Sequence, residues 1–281
     1  MTTPEKRFSS RGATTEHRKD LPAKSLSPSD RKLIKWGRRS GRRDGENGIL
    51  LEGIKLIEEA LDAGHPLTRT WYTPEVAETN PVLIGRLAEH GVNLREVDQR
   101  LMRSISDLES PPGISAVAPQ PGFIHCQPGD PFSLIVAVSK LQDPGNLGGL
   151  IRSADYFGVN EIWLGQGSVD PYNSKVIRGS MGALFRMPVL KRGDLREYIG
   201  RFKSMGATVW AAVAHDDKAR RKIDPSGSRI LLIGGESGGL SREYLELADE
   251  MISIPGARRS ESLNLAVAAG ILIYSATSGR Y

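Results

Sequence analysis

Short apolar runs alternate with segments of helical periodicity along most of the chain. In the amino-terminal half, strand patterns cover residues 49–51, 67–72, 92–97 and 114–117, and helical patterns cover 54–63, 81–90 and 98–104. In the carboxy-terminal half, strand patterns cover residues 134–138, 162–164, 208–213, 230–233 and 252–254, and helical patterns lie near 147–157, 194–205, 241–248 and 263–276. Because strands that alternate with helices form parallel sheets, the second half is predicted to be a doubly wound α/β domain.

The last helical segment, from Leu263 to about residue 276, is small or apolar on almost every side. A helix without a polar face has to be buried all round. We therefore expect this segment to lie in the core or against a second subunit.

Two clusters of proline and glycine interrupt the pattern, at residues 119–122 and 127–131. Such clusters are typical of a stiff connection between domains. The predicted organisation is a basic arm at 1–28, a small α/β domain at 29–118, a linker at 119–131 and a second domain at 132–281.

The net positive charge of the chain lies at its amino terminus. Residues 1–43 hold 13 Lys and Arg against 4 Asp and Glu, which leaves 25 against 29 for the rest. Residues 1–26 have too few large apolar residues to order themselves, and a short helix is expected from Ser27 or Ser29. The arginines Arg38, Arg39, Arg42 and Arg43 suit neutralisation of nucleic-acid phosphates. The alternative is a solvated tail that only aids solubility.

Composition argues against several classes of protein. A single cysteine, Cys126, excludes an internal disulfide and thiolate metal clusters, and the five histidines are scattered along the chain. No apolar run approaches the roughly 18 residues of a membrane span, and the amino terminus has no signal-peptide core. We expect a cytoplasmic protein without a metal.

A glycine-rich loop, Gly234-Gly235-Glu236-Ser237-Gly238-Gly239, follows the strand pattern at 230–233. A second apolar strand then stops at Pro255, and a Ser262-Leu263-Asn264 step opens the last helix. Ligands of parallel sheets bind beyond the carboxyl ends of the strands, where glycines allow close approach, although an ordinary strand-to-helix loop would look similar. The spacing is not the dinucleotide fingerprint, which argues against a nucleotide-binding oxidoreductase.

Three stretches in this half resemble the motifs of one enzyme family. They are Leu141 to Gly158 (LQDPGNLGGLIRSADYFG), Ile233 to Leu240 (IGGESGGL), and Ile252 to Pro255 (ISIP) with Ser262-Leu263-Asn264. Their sequences and order are similar to those of the SpoU (TrmH-like) RNA 2'-O-ribose methyltransferases of the SPOUT superfamily, over residues 132–278. Residues 174–188, including Arg178, resemble the family segment between motifs one and two. Gly256 to Arg259 departs from the family, in which many members have Met before a small residue.

The resemblance implies a fold, a cofactor and partners. It implies an α/β SPOUT domain with a mostly parallel sheet and a deep trefoil knot that holds S-adenosylmethionine in a bent form. It also implies an obligate homodimer, and a small L30e-like α/β domain upstream that binds the RNA substrate. Periodicity alone does not predict a knot, since threaded chains are rare.

The resemblance also assigns residues. The implied catalytic set is Asn146, Arg152, Glu236, Ser262 and Asn264. The implied cofactor-binding set is Gly234, Gly235, Gly238, Gly239, Ile254 and Leu263. The RNA-binding set combines Arg178, from the family segment, with the arginines assigned above from charge, Arg38, Arg39, Arg42 and Arg43. No metal ligand is expected.

The role of Arg152 is open between two chemistries. A ribose 2'-hydroxyl is a weak nucleophile, so its methylation requires alignment, loss of a proton and stabilisation of negative charge on oxygen. The family proposals make this arginine the base, but a guanidinium is protonated at all ordinary pH values. Stabilisation of the developing alkoxide is the better reading. Without the resemblance, Arg152 would be a solvent-facing arginine on an amphipathic helix.

The sequence identifies the substrate less closely than it identifies the reaction. An L30e-like domain and a basic arm favour a large structured RNA, and 23S rRNA is the preferred substrate. Transfer RNA is the alternative, as is a non-catalytic RNA-binding relative, although such a relative would be expected to lose Arg152 or Asn264. The size and organisation also resemble those of actinomycete 23S rRNA methyltransferases that confer antibiotic resistance.

Overall fold

The computed structural model describes residues 25–38, 47–131, 133–214, 219–221, 223–224, 226–236, 238–256 and 263–278. Most of the predicted basic arm lies outside these ranges. So do the predicted site residues Arg39, Arg42, Arg43 and Ser262.

The first domain is a four-stranded mixed sheet with helices on both faces. Its elements are α1 (Pro28–Gly37), β1 (Gly48–Glu52), α2 (Ile54–Asp62), β2 (Arg69–Tyr72), α3 (Pro74–Thr79), α4 (Pro81–Glu89), β3 (Asn93–Glu96), α5 (Gln99–Ile105) and β4 (Ile114–Pro119). The strand order is β1-β4-β2-β3, with only the β2–β3 pair parallel. Successive strand residues point to opposite faces, so Ile49 and Leu51 pack in a core with α2 while Leu50 packs in a core with α1 and α5.

Helix α1 is fixed to the sheet by a buried carboxylate. Ser27 caps the helix, because its side chain accepts a hydrogen bond from the Asp30 backbone N–H. The Asp30 carboxylate in turn accepts a hydrogen bond from the Ser27 backbone N–H at 2.9 Å, which completes a capping box. The fully buried Asp30 also accepts hydrogen bonds from Arg69 at 2.5 Å, from Trp71 Nε1 at 3.2 Å and from Arg95. The helix is therefore part of the folded domain rather than of a loose arm.

The second domain contains a six-stranded sheet in which every pair is parallel. Its elements are β5 (Leu134–Val138), α6 (Pro144–Tyr156), β6 (Glu161–Leu164), α7 (Ser174–Ser180), β7 (Val189–Lys191), α8 (Leu195–Ser204), β8 (Thr208–Ala212), β9 (Arg229–Ile233), α9 (Arg242–Leu245), β10 (Glu250–Ile252) and α10 (Leu265–Thr277). The strand order is β10-β8-β9-β5-β6-β7. The central strands β5 and β9 are buried along their whole length, as continuous apolar runs require.

The last strand was predicted at residues 252–254, and this position is wrong, because the strand spans Glu250–Ile252. The strand is β10, which pairs with Trp210–Ala212 of β8 through its backbone, although Glu250 and Met251 are not buried. The partner strand ends at Ala212, and Pro255 has no N–H to donate, so the apolar Ile254 lies beyond the strand. The sequence pattern also missed α3, α7 and β7, which are too short to show a periodicity.

The two domains meet through α2 and a 3₁₀ turn at Ala183–Phe185 that follows α7. Arg186 joins them, because its guanidinium bonds to Glu59 of α2 at 3.1 Å and to Asp155 of α6 at 3.0 Å. The contact is close: a side chain at Gly182 would place its Cβ 2.3 Å from that of Glu59. The face of the first sheet that carries α2 therefore lies toward the second domain.

The segment between the domains is held by Glu161, which is fully buried at the start of β6. Its carboxylate accepts from the backbone N–H of Cys126 at 2.6 Å and from Trp163 Nε1 at 2.6 Å. Burial raises the pKa of the Cys126 thiol to about 12, so the thiol stays protonated at neutral pH.

The described ranges contain no helix that is long and apolar enough to cross a membrane. They also contain no cluster of three His, Cys, Asp or Glu side chains that could hold a metal ion.

Candidate active site

A cleft of about 240 Å³ lies at the carboxyl ends of β5, β6 and β9. Its lining residues come from the loops that follow these strands and from α9: Ser139, Lys140, Gln142, Gln166, Gly235, Glu236, Gly239, Ser241 and Tyr244. This is the edge of a parallel sheet at which ligands bind. The prediction from the sequence included only Gly235, Glu236 and Gly239 of this set. Four of the other six could have been found from their positions, because Ser139, Lys140, Gln142 and Gln166 follow strand patterns at 134–138 and 162–164.

The glycine loop after β9 folds back on itself so tightly that a side chain is excluded at Gly234 and Gly235. A Cβ at Gly234 would lie 2.3 Å from the carbonyl carbon of Gly239, and a Cβ at Gly235 would lie 2.8 Å from the Lys140 carbonyl oxygen. Gly238 and Gly239 have φ angles of 100° and 67°, which side-chain-bearing residues rarely adopt. The loop is thus a backbone cradle beside the cleft, with open space above Gly238 and Gly239.

A chain of side-chain hydrogen bonds joins the three sequence motifs. Asn146 Nδ2 donates to Glu236 Oε1 at 2.6 Å, and Asn264 Nδ2 donates to Asn146 Oδ1 at 2.8 Å. The bonds connect residues that are 90 and 118 positions apart in the sequence. Three of the five predicted catalytic residues therefore lie together, and one of them, Glu236, lines the cleft.

Helix caps orient this network. Asp143 caps α6 by accepting the Asn146 backbone N–H at 2.7 Å, which holds Asn146 in the first turn. Asn264 caps α10, and its Oδ1 accepts from the backbone N–H of Ala266 at 2.9 Å. Because Oδ1 is occupied by the cap, the Nδ2 of Asn264 points to Asn146. Asn146 in turn donates to the Glu236 carboxylate, so each amide in this series of hydrogen bonds donates toward Glu236.

Arg152 lies apart from this network in the same chain. It is six residues after Asn146 on α6, which places it about 9 Å along the axis and about 120° around it. Its side chain is exposed, and within the described ranges it forms no ion pair or side-chain hydrogen bond. Helix α10 packs against α6 beside Arg152, because Gly149 lies against Ala266 and Ser153 lies against Gly270.

Helix α10 is not buried all round within the single chain, so of the two predicted alternatives burial in the core is excluded and burial against a second subunit stays a prediction. Ala269, Ile273 and Ala276 are fully buried against α6 and the sheet. On the other side, Val267 is 51% exposed, Ile271 42% and Tyr274 59%. Tyr156 of α6, one turn beyond Arg152, is 82% exposed and extends the same apolar surface.

The remaining predicted site residues lie outside the cleft lining. Ile254 is half-buried, and Leu263 is 50% exposed at the start of α10. Arg178 lies at the domain interface, with its Nη1 3.8 Å from a carboxylate oxygen of Glu52. Arg38 forms an ion pair with Asp107 at 2.8 Å and donates to the Ile105 carbonyl at 2.8 Å. These geometries leave the predicted roles of the four residues as predictions.

Comparison with known proteins identifies the family. The model of the SpoU rRNA Methylase family matches residues 133–274, and that of the MRM3-like substrate binding domain matches residues 32–116. The chain is 32% identical over 256 residues to the uncharacterized tRNA/rRNA methyltransferase slr1673 of Synechocystis sp., covering 90% of this chain and 93% of the relative. It is 29% identical to the 23S rRNA (guanosine(2553)-2'-O)-methyltransferase RlmP of Bacillus subtilis, covering 88% and 96%.

A solved structure agrees with these matches. The AdoMet-bound rRNA methyltransferase from Sinorhizobium meliloti superposes with a TM-score of 0.75 at 29% identity, covering 93% of this chain and 98% of that one. AdoMet is S-adenosylmethionine. The comparisons confirm the predicted SPOUT methyltransferase fold and the predicted cofactor. The chain belongs to the SpoU rRNA methylase family and is an S-adenosylmethionine-dependent RNA methyltransferase.

Proposed function

We propose that this protein methylates one ribose 2'-hydroxyl of 23S rRNA. The observation that carries the proposal is the hydrogen-bonded chain Glu236–Asn146–Asn264 beside the glycine cradle. RlmP, whose name specifies 2'-O-methylation of 23S rRNA, matches nearly the whole chain. The first domain, matched by a substrate-binding model, would hold the RNA, and the second would carry the reaction.

The cradle suits the cofactor. The backbone of Gly238 and Gly239 can approach a ligand closely because open space lies above both residues, while the packing of the loop excludes a Cβ at Gly234 or Gly235. When bound, S-adenosylmethionine supplies an electrophilic methyl group on a sulfonium. We assign cofactor contacts to Gly234, Gly235, Gly238 and Gly239, with Ile254 and Leu263 closing the site from motif three. A trefoil knot in these loops is part of the proposal.

The polar residues would have two separate roles toward the ribose, orientation of the sugar and stabilisation of negative charge. Glu236, Asn146 and Asn264 would form a polar wall that orients the sugar, since Asn146 and Asn264 are each fixed by a helix cap and Glu236 is held by Asn146. Ser262 would add a hydroxyl to this wall. Arg152 would stabilise the alkoxide as the 2'-proton leaves, because its guanidinium keeps its charge throughout.

The place of Arg152 supports a homodimer. Arg152 faces away from the network of its own chain, beside the exposed apolar surface formed by Tyr156, Val267, Ile271 and Tyr274. A surface of this kind on a soluble protein marks an interaction site. Pairing of this surface with its copy would bury it and bring Arg152 to the cleft of the partner. We assign the dimer to the cytoplasm, where ribosomal RNA is found.

Replacement of Val267 and Ile271 by aspartate is expected to give a monomer that still folds but loses methyl transfer. Both side chains are exposed in the single chain, so the fold does not depend on them. Sedimentation at micromolar concentration would measure the mass, with Val82→Asp as the control because Val82 is 75% exposed on the first domain. A monomeric wild type with full activity would contradict the dimer, as would a dimeric double variant.

The test of the function uses purified protein, labelled S-adenosylmethionine, deproteinised 23S rRNA and bulk transfer RNA. Label is expected in 23S rRNA, in a dinucleotide that resists alkali because a 2'-O-methyl group blocks attack by the 2'-oxygen. Label in transfer RNA alone would favour the alternative substrate. Cofactor binding without transfer to any RNA would indicate a non-catalytic relative. A resistance role remains a prediction.

A further inference from the structure

A second groove runs between α1 and α5 of the first domain and encloses about 660 Å³. Its walls carry four cations: Arg31 and Lys35 from α1, Arg38 from the carboxyl-terminal cap of α1, and Arg100 from α5. No carboxylate is among the described residues that line it. Its surroundings are therefore complementary to a polyanion.

The cations of α1 are spaced to follow a linear ligand. Positions 31, 35 and 38 fall on one stripe of the helix and extend about 10 Å along its axis. Arg31, Lys35 and Arg100 are exposed and, within the described ranges, form no ion pair or side-chain hydrogen bond. Arg38 differs, because its bonds to Asp107 and to the Ile105 carbonyl fix it across the end of the groove.

The groove is rigid, because both of its walls are anchored. Asp30, one residue before Arg31, is buried among Arg69, Trp71 and Arg95. On the other side, Asp98 caps α5 by accepting the Leu101 N–H at 2.7 Å. A ligand would thus meet cations carried on a backbone that is already in place, which lowers the entropy lost on binding.

The groove also lies far from the methylation cleft. The first sheet carries α2 on one face, and this face meets the second domain through Glu59 and Arg186. Helices α1 and α5 cover the opposite face, where Leu50 and Val117 point. A ligand that occupies the groove and the cleft together has to pass around the first domain.

We propose that the α1–α5 groove binds the phosphate backbone of a second, unpaired segment of the RNA substrate. Its apolar floor, formed by Leu26, Ile34 and Leu101, suits the faces of sugars and bases, and the cations suit the phosphates. The choice of RNA as the polyanion rests on the proposed function. The groove deepens that function, because it selects substrates large enough to reach both sites.

The test compares two charge-matched triple variants. The groove variant is Arg31→Gln, Lys35→Gln and Arg100→Gln. The control is Lys32→Gln, Arg201→Gln and Arg221→Gln, which removes three exposed cations that lie outside the groove. The probe is polyuridylate, a single-stranded RNA whose binding does not require methylation, and affinity is measured at several salt concentrations.

The groove variant is expected to bind polyuridylate about 10- to 100-fold more weakly at low salt, with a salt slope smaller by about 2, since each lost contact to a single strand removes about 0.7. Methylation of 23S rRNA by this variant should show a raised KM and an unchanged kcat, because the contact is the same in substrate and transition state. The control variant should match the wild type in every measurement.

Equal affinity and slope in the groove and control variants would overturn the inference, as would a wild type that does not bind polyuridylate. If the wild type binds poly-L-glutamate as tightly as polyuridylate, and the groove variant loses this binding, the groove would be assigned to an acidic protein instead. If the wild type binds polyuridylate through the groove but does not methylate 23S rRNA, the proposed function fails and the groove assignment stands.

Discussion

Replacement of Arg152 by alanine is expected to lower the rate of methyl transfer by about 100- to 1,000-fold, the usual effect of losing one preorganised donor at a developing oxyanion. The fold should not change, because Arg152 is exposed on α6 and forms no ion pair in the described part of the chain. Cofactor affinity should also be retained, since Arg152 does not line the cleft at the glycine cradle. Single-turnover kinetics with saturating RNA would measure the rate.

A lysine at position 152 separates the two roles. Partial rescue by Arg152→Lys is expected, because lysine keeps the charge without the planar fork of donors. Arg201→Ala is the matched control, since Arg201 is also an exposed arginine on a helix and lies away from the cleft. Near-normal turnover of Arg152→Ala would make Arg152 an ordinary surface residue.

If the proposed dimer is correct, a mixed dimer offers a further readout. A chain with Arg152→Ala and a chain with Glu236→Gln are each expected to have a strongly lowered rate of methyl transfer alone. Mixed together, they should recover activity at the site that combines an intact cleft from one chain with Arg152 from its partner. Absence of recovery would place Arg152 and Glu236 in the same chain's site.

Replacement of Asp30 by alanine is expected to lower the free energy of unfolding of the first domain by about 2 to 4 kcal/mol. Removal of one partner of a buried ion pair leaves the other charge uncompensated. Arg69 and Arg95 are partly exposed, with side chains 17% and 27% accessible, so water would offset part of this cost. Asp62→Ala is the matched control, because its pair with Arg86 is exposed and should contribute at most about 1 kcal/mol.

The same residue gives the stability a pH dependence of known sign. Burial alone would raise the pKa of Asp30, but the hydrogen bonds from Ser27 and Arg69 outweigh it, and the pKa lies below its ordinary value. A carboxyl group of this kind stabilises the fold above its unfolded pKa of about 3.9. The stability is lost as the pH falls through the lower, folded pKa.

Urea unfolding followed by tryptophan fluorescence, at neutral pH and near pH 3, would measure both effects of Asp30. Trp71 reports on the site directly, because it donates to Asp30. Asp30→Asn should remove this contribution to the pH dependence. A shift for Asp30→Ala no larger than that for Asp62→Ala would show that the buried cluster does not hold α1.

The sequence predicts the long, strongly patterned elements and misses the short ones. The run Leu134–Val138 is apolar throughout and is a buried central strand, as predicted. The final strand was misplaced because Glu250 and Met251 enter the sheet through backbone pairing, which leaves no apolar signal. Helix α7 has only two buried apolar residues, Val176 and Ile177, and these are too few to define a period.

The site was predictable only through the motifs. No local pattern can show that Asn146, Glu236 and Asn264 meet, because their contacts depend on how three loops converge. Arg178 is a further example, since the sequence does not reveal that its neighbour is Glu52 of the other domain. The α1–α5 groove was also hidden, because nothing in the sequence indicates that Arg100 faces the cations of α1.

The central claim is 2'-O-methylation of 23S rRNA, and base-by-base mapping of ribose methylation tests it most directly. The measurement compares ribosomes from cells with and without the gene, and from cells that carry Arg152→Ala. We predict one 23S ribose that is methylated only when the wild-type protein is present. Identical methylation at every 23S ribose in the three strains would contradict the account.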